Sequence, residues 1–190
     1  MRKTMRSLQK NLRKSWILEL AENLLAAVPM SREEVNRKYC FEFEEGSYRC
    51  MVVRLLQEGE EHLQPVSEIL EECCCDYEWI LQGREAFFLM NYRDSMRMTL
   101  WKRLKALAGP QLQIAVSREN SGIDDCAAAM REAKRTINMR WWKRDAFFLT
   151  AEEFEGLLTE EAPVLNHERT EQLLRQIEML DPDKIGRAHV

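Results

Sequence analysis

YEWILQGREAFFLMNY, Tyr77–Tyr92, places two runs rich in aromatic and branched residues on either side of Gly83. Such runs joined through a glycine predict two antiparallel strands and a tight turn. The turn reads Gly83-Arg84-Glu85-Ala86-Phe87, with Glu85 as its one carboxylate. Chemistry on nucleotide phosphates needs metal ions held by several acidic oxygens. The hairpin is therefore expected to build a sheet without supplying that chemistry, and no catalytic, cofactor-binding or metal-ligating residue is assigned.

On the N-terminal side of the hairpin, Tyr48–Leu56 (YRCMVVRLL) is apolar and β-branched, the composition of a central strand. Pro65 opens a helix to about Cys75. Ser31-Arg32-Glu33-Glu34 is a capping box starting a short helix to Lys38. Arg2–Val28 contains no Gly or Pro, and Met5, Leu8, Leu12, Trp16, Leu20, Leu24 and Ala27 form one apolar stripe. That stripe suits either packing on its own domain or a parallel dimer seam. The basic first half and the narrow stripe favour the seam.

On the C-terminal side, Arg93–Ala108 is helical, with Met96, Leu100, Leu104 and Leu107 inward, and Gly109-Pro110 stops it. Leu112–Ser117 is a short buried strand. Asp124 or Asp125 caps a helix through Met139, with Ala128, Met130, Ala133 and Ile137 inward. Ala146–Leu149 is the last strand, and Thr150-Ala151-Glu152-Glu153 caps a helix through Leu158. After Pro163, Asn166 caps a final helix to Leu180. The order β-α-β-β-α-β-α-β predicts an α+β fold of ferredoxin-like plan, mostly antiparallel, with helices on one face. A long N-terminal helix precedes this sheet and a C-terminal helix follows it.

The 190 residues carry a net charge of −4 and a 45% hydrophobic share, which suits one soluble domain with helical arms. That charge argues against whole-molecule attraction to nucleic acid or anionic membrane. No apolar run approaches the ~20 residues of a membrane span. Cys73, Cys74 and Cys75 in a row, with Cys40, Cys50 and Cys126, suit a reducing cytoplasm rather than a disulfide framework. Without C-x-x-C pairs, and with His62, His167 and His189 scattered, they read as packing thiols, not a metal site. Trp141-Trp142-Lys143-Arg144 could face nucleic acid, but reads better as tryptophans covering a sheet edge while the cations snorkel.

Glu34-Val35-Asn36-Arg37-Lys38-Tyr39 through Phe43-Glu44-Glu45-Gly46-Ser47-Tyr48 resembles the entry to the first strand in YesN-type response regulators. Ile114-Ala115-Val116-Ser117, then Ile123 through Ala133-Lys134, is similar to a later strand and helix of that family. Gln176–Asp181 looks like its helix leading towards DNA-binding. The resemblance implies a degenerate nucleotide-cyclase-like (GGDEF) domain from a two-component, AraC-family transcription regulator. It also implies a cytoplasmic setting, a homodimer through the N-terminal helix, and DNA contact only through a C-terminal domain missing from this stretch. An active diguanylate cyclase would carry G-G-D/E-E-F at the hairpin and an aspartate near the end of the first strand. Arg84 and Ala86 break the first pattern, and Arg54-Leu55-Leu56-Gln57, with Glu58 only beyond, breaks the second.

The expected organisation is a signalling and dimerisation helix over 1–29, a degenerate cyclase-like domain over 30–150 and a helical linker over 151–184. Residues 185–190 (IGRAHV) read as the translation of a short-read sequencing adapter, so the chain is expected to be a truncated fragment. The function expected is non-catalytic signal relay. A stand-alone sensor of a nucleotide-like small molecule is the alternative, and a residual nucleotide-processing enzyme a third reading.

Overall fold

The computed structural model describes residues 2–22, 30–57, 59–120, 122–138 and 146–161, with side chains described only within residues 8–156. The chain divides into two compact units, Met1–Phe154 and Glu155–Val190. In the first unit a five-stranded sheet runs in the order β2-β3-β1-β4-β5. The strands are β1 Ser47–Leu55, β2 Asp76–Gln82, β3 Glu85–Tyr92, β4 Leu112–Val116 and β5 Phe148–Thr150. β5 pairs parallel to β4, whereas the other pairings are antiparallel. The helices are α1 Arg2–Ala21, α2 Arg32–Tyr39, α3 Gln64–Cys73, α4 Arg97–Leu107, α5 Cys126–Asn138 and α6 Ala151–Glu161.

β1 lies at the centre because its sequence is apolar on both faces, and eight of its nine residues are buried. Alternation sends Cys50 and Val52 to one core, with Phe87, Leu89 and Ala115 from the neighbouring strands. α1, α2 and α5 close that core through Trp16, Ile17, Leu20, Val35, Met130 and Ile137. Met51, Val53 and Leu55 point the other way, to Phe88, Met90, Ile114 and Val116. α3 and α4 cover this second face with Val66, Leu70, Leu100 and Leu104. The α+β class and the mostly antiparallel sheet stand as expected, but the helices lie on both faces instead of one. A sheet whose central strand is apolar on both sides leaves no face to expose to water.

Local signals account for most boundaries. Ser31 accepts a hydrogen bond from the Glu34 amide while the Glu34 side chain returns to Ser31 N at 2.8 Å, and Cys40 at φ 59° ends α2. Thr150 and Glu153 repeat the reciprocal pattern at α6. Before α5, a 3₁₀ turn over Ile123–Asp125 replaces the expected aspartate cap, and no side chain caps it. Ala128 is exposed and Ala129 buried, a correction of one position to the expected inward set. The positions one helical turn before Met130 and Ala133 are Cys126 and Ala129, so the packed face passes through those two.

The stripe on α1 is divided. Trp16, Ile17 and Leu20 are buried in the first core, and the Trp16 ring stacks on Tyr39 at 5.2 Å. Leu8 and Leu12 are exposed, at 61% and 38%. The inner half of the helix is thus part of the domain. Residues 23–29, the Trp141-Trp142-Lys143-Arg144 cluster, the expected final helix to Leu180 and the segment 185–190 lie outside the described residues.

Candidate functional site

Gln82 pairs with Glu85, so the hairpin turns through two residues, Gly83 and Arg84. Gly83 has φ +58° and Arg84 does not share the positive φ, the pattern of a type II′ turn that favours glycine first. Nothing lies within 4 Å of where a Cβ on Gly83 would sit, so backbone conformation is the reason for glycine here. The Leu55 amide donates to the Arg84 carbonyl at 2.8 Å, pinning the turn to the end of β1. Beside it opens a groove of about 390 Å³, lined by Arg54, Gln82, Arg84, Glu85 and Gln113.

Glu85 stands opposite Arg54 in the β1–β3 register. Arg54 donates to Glu85 Oε1 from Nη2 at 2.7 Å and from Nε at 3.1 Å. Lys134, projecting from α5, pairs with Oε2 and lies 5.3 Å from the centre of the Phe87 ring. Arg54 is braced further by the Ile137 carbonyl at 3.3 Å and Asn138 Oδ1 at 2.6 Å. Burial holds Lys134 below the usual lysine range, and the Arg54 charge pushes the same way. Burial also lowers Arg54. Both oxygens of the turn's sole carboxylate are therefore held by side-chain cations.

The metal ions that cyclase chemistry requires do not fit these residues. A divalent ion at Glu85 would meet two formal positive charges against one negative, and hard cations need several oxygen ligands. Ala86, the next residue, faces the opposite core and is fully buried, so it offers no ligand. Among the described residues no three His, Cys, Asp or Glu side chains cluster to hold a metal. The six cysteines are unpaired, with Cys50, Cys73 and Cys126 buried. Glu58 lies outside the described residues.

Two further polar constructions organise the unit. Arg49 on β1 has only 7% of its side chain exposed. Its Nε donates to the Tyr92 hydroxyl at 2.9 Å and Nη1 to the Ser117 carbonyl at 2.7 Å. Glu152 in the first turn of α6 lies 2.9 Å away, Glu119 lies 3.3 Å away, and the Trp101 ring stacks at 5.2 Å. On the other side of the sheet, Arg13 of α1 pairs with Asp76 and donates to the Tyr77 carbonyl at 2.8 Å. Its Nε lies 3.3 Å from Glu78, whose carboxyl burial raises while the Arg13 charge pulls it down. Sequence spacing alone assigns none of these contacts to Arg13, Arg49, Arg54 or Lys134. The available signal was Arg49 and Arg54 inside YRCMVVRLL, because a cation in a buried strand must find partners.

A mostly antiparallel sheet between helical layers, with its hairpin turn beside the end of the central strand, is the architecture of the nucleotide-cyclase class. A family model described as the GGDEF-like domain matches residues 44–139, half of the chain. The chain belongs to this family. No curated protein matches it.

Proposed function

We propose that this chain is a non-catalytic signal-relay and dimerisation module of a two-component transcription regulator of the YesN type, AraC family, working in the cytoplasm. The observation that carries the non-catalytic part is Glu85, bound on both oxygens by Arg54 and Lys134. Side-chain cations occupy the place where metal ions would need open acidic oxygens. Among the described residues no helix is long and apolar enough to cross a membrane. The relay part is supported by α1, whose inner half is built into the core while Leu8 and Leu12 stay exposed for a second copy. DNA contact in this reading belongs to a separate domain of the full-length regulator.

The test has two arms. Purified chain with GTP and Mg²⁺ should release no pyrophosphate, and turnover that depends on Glu85 would reject the non-catalytic reading. Sedimentation of the whole chain against Leu8→Lys/Leu12→Lys reads the seam, and a wild-type monomer would remove it. Deleting residues 1–28 is the poorer design, because it strips Trp16, Ile17 and Leu20 from the core. A sensor of a nucleotide-like molecule is the second reading, favoured by the arginine-lined groove at the hairpin turn. A nucleotide that raises the unfolding temperature without Mg²⁺ would support it.

A further inference from the structure

The outer surface of α3 and α4 is divided by sign. On the α3 side, Glu61, Glu68, Glu71 and Glu72 are exposed. On α4, Met98, Lys102 and Lys105 are exposed at intervals of four and three residues, one face of a helix. Met98 is 74% exposed, the largest value among the exposed large hydrophobic side chains of the described residues. Among the described residues one ion pair joins the two ridges, Arg103 to Glu72 at 2.5 Å. Lys102 and Lys105 have no described carboxylate within ion-pair reach. Like charges three and four residues apart repel: Glu68 with Glu71 and Glu72, and Lys102 with Lys105. A solvated face avoids that cost by mixing signs, and this one keeps them apart.

We infer that the α3–α4 face is a self-complementary interface for a second copy of this chain. A two-fold axis lying between the ridges and along them sets the acidic ridge of each copy over the basic ridge of the other. The repelling pairs then become attracting ones, and Met98 of each copy is covered. The inference does not rest on the relay reading, and its surface is separate from the exposed stripe on α1.

The experiment is sedimentation equilibrium on the whole chain carrying Leu8→Lys/Leu12→Lys, so that association through α1 is removed. Self-association that weakens with added salt is expected. Lys102→Glu/Lys105→Glu alone, or Glu68→Lys/Glu71→Lys alone, should weaken it by roughly tenfold or more. An equimolar mixture of these two variants should recover a heterodimer. Lys102→Gln/Lys105→Gln should fall between, and superimposable far-UV spectra establish that the variants fold. A monomer at every concentration, association indifferent to salt or to either variant, or a mixture that stays monomeric overturns the inference. So does binding of a polylysine peptide without self-association, which would assign the acidic ridge to a foreign basic partner.

Discussion

Arg49→Met removes the donor shared by the Tyr92 hydroxyl and the Ser117 carbonyl, two acceptors with little access to water. Buried groups left without partners cost about 1–3 kcal/mol each, so for the two acceptors a loss of about 2–6 kcal/mol is expected. Urea unfolding should show a lower midpoint with an unchanged slope. Glu119, one of the carboxylates around Arg49, gives the site a pH dependence. Burial presses its carboxyl upward, but hydrogen bonds from Ser47, Arg97 and Arg49 outweigh that and hold it below its ordinary 4.5. A carboxyl depressed in the folded state contributes stability that is complete above its ordinary value and fades as pH falls through the folded one. Wild type should therefore lose more stability than Glu119→Gln on acidification below about pH 4.5, read from urea midpoints across that range. At the hairpin, isothermal titration with Mg²⁺ should show no binding that Glu85→Gln abolishes. Such binding would mean that Arg54 and Lys134 yield to a metal.

At the scale of elements, α1 joins two environments on one helix. Trp16→Ala should cost about 3–5 kcal/mol, the usual range for deleting a large buried ring. Leu8→Ala should stay within ~0.5 kcal/mol in the isolated domain. Thermal unfolding of the two variants separates a helix docked along its inner half from one that is only a lever outside the fold. Capping boxes, the glycine turn and the apolar central strand were legible because each is a local pattern whose physics is complete within a few residues. The layering was not. Amphipathic spacing says that a helix has a buried side, and stays silent on which face of the sheet receives it. The division of the α1 stripe escaped for a related reason, since an apolar repeat looks the same in a core and in a seam. β2 shows a further device: Asp76 and Glu78 accept from the amides of Tyr77 and Trp79, and Arg13 donates to the Tyr77 carbonyl. Side chains thereby occupy backbone groups on this edge strand that another strand could use.

Across the whole molecule, the site was half legible. Loss of the acids was visible in Arg84 and Ala86, but the side chains that fill their place come from β1 and α5, far apart in the chain. Long-range pairing of Arg54 and Lys134 with Glu85 has no sequence signature beyond the oddity of a cation in an apolar strand. The same long-range character governs β1, whose partners β3 and β4 both follow it in the sequence. During synthesis this central strand emerges from the ribosome before its partners and must wait for Val116 before its second neighbour exists. At about 5–20 residues per second that interval is roughly 3–12 s. Until then Met51, Val52 and Val53 can pair on one side only, with β3, and their other edge stays open to chaperones that shield unpaired apolar segments.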